Sequence, residues 1–558
     1  MPRWQSGAVR RLLVLPLALL PLTVLATAPA QARPPSVIRV GGPSLPSDPK
    51  LAVVASSRSL AGRRFVVTGR RGRVVMRGRL RRATGSAAPW GGAAIANLTR
   101  VRRSGSYRVK VGKLRSRPWV VSRGAYAPLL SRLTRMYKAN SDGREPSSVF
   151  GPAHLRDALI AGGPFAGQRF DLTGGWRDAG DNLKFTQTTG LSVAALNYAA
   201  RLAPARAAEL RATSDVGVRW LLKTHPAPGL FVAQVGDQRD HEQSFRDPAR
   251  DDALNGPGQG DRPAYPSTAA PAAGLAAAGL ALAAERTGGG TRDQLLASAR
   301  DWYAAGKANM GPVGAPGGFY DDRTGADNMA VGAAALWRAT GDDSFQADAG
   351  TFLGASQFQS GVDSFEVAGL AAADLCGVLG AKPATSPAVR SVACNGLRQA
   401  AQAARERYRI TAFGSPGAFS FGWVQDNGGS GAMATLAAKA RLLRGGRTIG
   451  AGARDYLLGR NPWGQSFVVG PSRREAGAPH HSAYLKGNPR RLLNGAVVGG
   501  PASAQALKDS NMTVKRSRFS RFNSSAAIYE DRRDDYVTSE VGLAYSSYAI
   551  LLVAALGP

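Results

Sequence analysis

The stretch TGGWRDAGDNLKF, Thr173 to Phe185, sets two carboxylates, Asp178 and Asp181, three residues apart behind Trp176. Three chemistries fit such a loop. Aspartate favours turns because its side chain accepts hydrogen bonds from nearby backbone N–H groups. The same oxygens suit calcium. A carboxylate pair also suits acid–base catalysis, provided another carboxyl group faces it from elsewhere in the chain. Glu540 is that candidate, within YEDRRDDYVTSEVG (529–542), among Asp531, Asp534, Asp535, Tyr529 and Tyr536. It is expected to open a terminal helix capped by Thr538 or Ser539, with the neighbouring aspartates available to raise its pKa. A glutamate at a helix start is by itself more often a solvated dipole partner.

Three further loop-like stretches carry chemistry-bearing residues: GDQRDHEQSF (236–245), YLLGRNPWGQSFVVG (456–470) and APHHSAY (478–484). Taken with DAGD and Tyr529-x-Asp531-x4-Tyr536-x3-Glu540, they resemble glycoside hydrolase family 9 in residue type, spacing and order. The resemblance spans roughly 126–558, and IRVGGP with SYRVKVGKLRSRPWVV resembles the immunoglobulin-like domain that often precedes it. It implies an inverting β-glycoside hydrolase, an endo-β-1,4-glucanase above all, with Glu540 as acid, Asp181 as base and Asp178 holding the water. No metal enters that chemistry, although a structural calcium is compatible with it. Trp176, His241, Phe245, Trp423, His480 and Tyr536 are the candidates for gripping sugar, while Trp463 in its NPW turn is assigned to the core. His154 and His225 have no functional context. Ser482 stands where the family has an arginine, and EQSF replaces a tryptophan-bearing stretch. The cleft is therefore expected to be remodelled around a retained catalyst. Hydrolysis of other β-linked oligosaccharides, or carbohydrate or cell-wall binding with little turnover, uses the same residues. With no further module after the Glu540 helix, soluble or amorphous β-glucan is a more natural substrate than crystalline cellulose.

These loops need elements to hold them. A chain of 558 residues is long for a single core and suggests more than one domain. From about Tyr126 the sequence turns to long Ala- and Leu-rich stretches with apolar residues at three- and four-residue spacing. With no solenoid repeat signature, a closed (α/α)6 barrel over 126–558 is expected. Residues 36–120 read instead as short strands separated by Gly and Ser, suited to a β-sandwich. That segment holds 20 Lys and Arg against one acid, Asp48, and so carries +19 of the net +34. Such a domain attracts polyanions, among them anionic cell-wall polymers. No aromatic ladder accompanies it, which argues against specific nucleic-acid recognition. Residues 1–32 combine a basic start, an apolar run and AQA ending at Ala32, the pattern of a secretory signal. No other apolar run approaches the roughly 20 residues of a membrane span. An exported, extracellular protein follows, in which Cys376 and Cys394 are free to pair.

Overall fold

The computed structural model describes residues 34–242, 246–248, 262–311, 313–315, 319–322, 325–358, 365–380 and 385–557. The proposed signal and Phe245 lie outside the described residues.

Residues 37–121 form two antiparallel sheets. One runs β1 (Val37–Val40), β2 (Leu51–Ala55), then further along the chain β6 (Ala93–Asn97) and β5 (Arg81–Arg82). The other runs β4 (Val74–Arg79), β3 (Arg64–Thr68), β7 (Gly105–Val111) and β8 (Leu114–Arg115), with β9 (Trp119–Val121) also paired to β7. Alternation puts Phe65 and Val67 of β3 and Tyr107 and Val109 of β7 inside, against Val40 and Val54 of the facing sheet. β2 departs from alternation for a reason. Ala52 and Val54 fill the sandwich, whereas Val53 and Ala55 on its other face join the core of the helical domain.

The helical domain is an (α/α)6 barrel. The chain enters with α1 (Ala127–Leu133) and α2 (Arg135–Asn140) outside, then alternates inner and outer helices. The first half is α3 (Thr186–Leu202), α4 (Ala207–Lys223), α5 (Ala270–Ala284), α6 (Gly289–Ala308), α7 (Ala326–Thr340) and α8 (Asp343–Ala355). The second half is α9 (Ala368–Leu375), α10 (Pro387–Ile410), α11 (Trp423–Lys439), α12 (Gly446–Leu457) and α13 (Leu543–Ala555). The odd-numbered helices from α3 to α13 pack each on the next, and α13 packs on α3 to close the ring. Their sequences explain why. Every residue of α5 and α13 is buried, so neither needs a polar face. Small residues let the inner ring tighten: a Cβ on Gly274 of α5 would lie 2.4 Å from the carbonyl carbon of Asn328 on α7. Outer helices such as α10 are amphipathic, with Ala393, Leu397, Ala400 and Ala404 on the buried stripe. Cys376 and Cys394 are joined, tying the end of α9 to α10. No helix among the described residues is long and apolar enough to cross a membrane.

The two domains meet through buried charge. Asp48, the one acid of the sandwich segment, accepts from Arg454 Nη1 at 2.7 Å, from Arg447 Nη2 at 2.9 Å and from the Tyr126 hydroxyl. Arg117 and Arg39 reach across to the backbone carbonyls of Leu458 and Pro462.

Candidate active site

The loops that enter the inner helices all open at one mouth of the barrel, and the chemistry-bearing residues lie on them. Asp178 and Asp181 precede α3, Tyr320 precedes α7, Phe365 precedes α9, Phe421 precedes α11 and Glu540 precedes α13. Glu540 does not open a helix as expected. It ends a short helical turn, Tyr536–Ser539, in extended conformation, and α13 begins three residues later at Leu543. Asp535 caps that turn by accepting from Thr538 N at 3.0 Å. The extended backbone lets Glu540 pair with both sides. Gly499 N donates to its carbonyl at 2.8 Å, and His480 forms a bridge with it.

The DAGD loop is docked on the PHH segment. Ser482 N donates to Gly180 O at 2.9 Å, and a Cβ on Gly180 would lie 2.4 Å from His480 O. Gly180 N in turn donates to Glu540 Oε1 at 3.4 Å, which places the glutamate against the loop. Fully buried His481 locks the arrangement from beneath. Its Nδ1 accepts from Ala483 N, so its Nε2–H donates to Asn140 Oδ1 at 2.8 Å. Asn140 then donates to Arg177 O and Ala179 O. Burial and the nearby Arg177 hold His481 well below the usual histidine range, consistent with this neutral tautomer.

The carboxyl groups are placed in unequal environments. Asp178 accepts from Thr188 Oγ1 and from the Tyr320 hydroxyl, and burial pushes it up to about 7 against those hydrogen bonds, with Asp181 adding to the rise. Asp181 accepts from Leu183 N at 3.2 Å and meets His241 Nδ1 at 2.9 Å. Glu540 keeps one side open to the cleft, but the surrounding protein strips most of its water. That desolvation, then Asp181 and Asp178, push it well above the ordinary glutamate range. The expected contribution from Asp531, Asp534 and Asp535 is not what raises it. Asp531 accepts from Gly477 N and Ala478 N, and exposed Asp534 pairs with Lys515.

The aromatic candidates divide. His241 is half exposed, with its ring 5.0 Å from Phe319. Tyr536 is half-buried, 6.2 Å from His480 and 6.0 Å from Phe421. His480 donates through Nδ1 to Arg533 O at 2.6 Å. Trp176 and Trp423 are corrections: both are fully buried. Trp176 packs beneath DAGD against Tyr137, and Trp423 packs against Tyr456 and Phe467 while donating to Ser415 Oγ. Trp463 is in the core, as assigned, donating to Asn523 Oδ1. Three aromatic residues near the carboxyls escaped the sequence reading. Phe421, two residues before Trp423, is 44% exposed, and Phe365 is 38% exposed, 6.0 Å from Tyr320. Tyr320 itself sits at a φ of +48°, an uncommon backbone region for a tyrosine, while its hydroxyl holds Asp178.

His154 has a context after all. With Asp142 and Asp157 it forms a buried group whose ligand-type atoms lie within 4.8 Å of one another. The set does not fit a divalent cation, because Lys184 Nζ already lies 2.6 Å from Asp157 Oδ2 and 3.3 Å from Asp142 Oδ2. Arg262 adds a second positive charge at 3.5 Å from Asp157. Lys184 lies three residues after Asp181, so this ionic cluster anchors the catalytic loop to the barrel. His225, by contrast, stacks on Phe231 at 4.4 Å.

An α/α barrel with a glutamic acid of raised pKa set against a loop bearing two aspartates defines a glycosidase-type site. The model of glycosyl hydrolase family 9 matches residues 126–553, and that of the cellulase N-terminal Ig-like domain matches 44–116. The chain belongs to glycosyl hydrolase family 9. Among its relatives, an endoglucanase of Dictyostelium discoideum is 27% identical over 77% of this chain and 61% of its own length. Endoglucanase 15 of Arabidopsis thaliana is 26% identical over 69% and 88%. Endoglucanase B of Cellulomonas fimi is 26% identical over 76% of this chain, which spans 41% of that protein. In fold, a thermostable endoglucanase variant from Alicyclobacillus acidocaldarius aligns with a TM-score of 0.76 at 24% identity, covering 94% of this chain and 99% of the other.

Proposed function

We propose that the protein is an exported, inverting endo-β-1,4-glucanase acting on soluble or amorphous β-glucan. The observation that carries the reading is the placement at one barrel mouth of Glu540, pushed well above the ordinary glutamate range, against the loop that bears Asp178 and Asp181. Glu540 donates its proton to the leaving glycosidic oxygen. Asp181, oriented by His241 and Leu183 N, takes a proton from water attacking the opposite face of the ring, while Asp178 helps hold that water. The new bond has inverted configuration, no covalent intermediate forms, and the chemistry calls for no cofactor. Phe421, Phe365, Tyr536 and His241 offer faces and polar edges for pyranose rings. The endo mode is supported by the endoglucanases among the relatives.

A second part concerns the sandwich. Strand register sets Arg64 opposite Arg79 and Lys110 opposite Arg115, with Arg77 between on the same outward face. Like charges directly opposite are unfavourable unless counter-anions gather there. This face suits an anionic cell-wall polymer, and the retention it gives should weaken steeply with salt.

The test is a panel of soluble β-1,4-glucan, mixed-linkage glucan, cello-oligosaccharides and chitosan, following viscosity and reducing ends together. An endoglucanase drops viscosity before reducing ends accumulate. A folded protein that binds cello-oligosaccharide and turns over nothing in the panel is instead a binding protein.

A further inference from the structure

Away from the cleft, the seam between sandwich and barrel holds a cavity of about 390 Å³. Its walls carry Arg39, Arg115 and Arg117 from the sandwich and Arg473, Arg474 and Arg518 from the barrel domain, and among the described residues no carboxylate lines it. Arg518 has an ion-pair partner in Asp531 at 3.5 Å, but the other five arginines form no ion pair with described residues. Lys184, Arg338 and Arg454 elsewhere in the molecule each meet a carboxylate within ion-pair distance, as these five arginines do not. Arg39 and Arg117 are each pushed down to about 10, first by burial and then by neighbouring guanidiniums, with Arg474 pressing on both.

Two buried donors in the same wall lack acceptors. They are Arg117 Nε and the amide nitrogen of Gln465, a side chain only 3% exposed. Convergent guanidiniums and unpaired N–H groups ask for an acceptor-rich anion. Guanidinium forks match tetrahedral oxyanions, and groups converging from two domains favour a ligand offering oxygens in several directions. We infer that this cavity binds a compact phosphate-type oxyanion of at least two negative charges, which bridges the sandwich and the barrel. Bound there, it would stabilise the docked pair of domains by mass action. Arg115 belongs both to this wall and to the basic outer face of the sandwich, but Arg77 and Arg79 of that face line no part of the cavity.

The experiment uses the full chain, with pyrophosphate as probe and sodium chloride of matched ionic strength as reference, read by calorimetry and thermal melting. One equivalent of pyrophosphate should bind saturably and raise Tm. The double variant Arg473→Gln/Arg474→Gln, at exposed positions that leave folding intact, should weaken binding at least about tenfold. Arg77→Gln/Arg79→Gln should leave it unchanged. Long-chain polyphosphate alongside separates a free ligand from a polymer end, which would bind tighter per chain. No saturable binding beyond the chloride reference overturns the inference. Equal weakening by both double variants also overturns it, because that would be the general attraction of a chain of net charge +34.

Discussion

Asp178 is buried and sits beside a second carboxylate, and the two hydroxyls that donate to it do not offset that, so its ionisation works against the fold. A carboxyl raised to about 7 has lost nothing at pH values where the unfolded chain is also protonated. As pH climbs from about 4 to 7 the unfolded chain ionises first, and stability falls. Asp178→Asn should therefore melt higher than wild type at pH 8 by the equivalent of about 2–4 kcal/mol, a gain that vanishes at pH 4, while activity is lost. Melting curves at the two pH values check this. Glu540 must be protonated to act, so kcat should fall on the alkaline side as pH passes through its raised value. Glu540→Gln should cost a factor of about 10²–10⁴ at every pH. The carboxyls could be read in the sequence because the chemistry fixes their type and the loop fixes their spacing. Tyr320 could not, because it arrives from a loop 142 residues after Asp178. Nor could Phe421 be told from Trp423, since the start of α11 alone decides which of the two faces the cleft.

At the scale of elements, the site depends on two loops packed without a side chain between them. Gly180→Ala would drive a methyl into His480 O, so the DAGD loop must lift from the PHH segment. A fall in kcat of about 10²-fold, with thermal stability little changed, is the expected outcome from kinetics and melting. In the barrel wall the same substitution acts differently. Gly274→Ala should destabilise by about 1–3 kcal/mol, because the backbones of α5 and α7 cannot part without opening the inner ring. Most helices were legible from their three- and four-residue apolar spacing. The short turn holding Glu540 was not, because its limits are set by Asp535 capping and by pairing with His480 and Gly499.

At the scale of the molecule, the sandwich and the barrel are fastened through Asp48. Burial pushes this carboxyl up, but Arg454, the Tyr126 hydroxyl and Arg447 outweigh burial and hold it below the usual range. A depressed carboxyl contributes stability above its unfolded pKa and loses it as pH falls through the folded value, so acid should loosen the domain seam. Asp48→Ala should cost about 3–5 kcal/mol at pH 7 by stranding buried charge, a cost that shrinks only as acid takes the wild type through the depressed folded pKa of Asp48, as denaturant titrations over an acid series would show. The division into a basic β-sandwich and an (α/α)6 barrel could be read from composition and periodicity. The seam could not, since a lone aspartate among 20 basic residues gives no hint of a partner 406 positions away.

The most direct test of the central claim is the anomeric form of freshly released product from a soluble β-1,4-glucan, followed by NMR for wild type, Asp181→Asn and Glu540→Gln. Release of the α-anomer by wild type, and of nothing comparable by either variant, is the expected result. A β-anomer formed first, or undiminished release by Glu540→Gln, would contradict the assignment of acid and base.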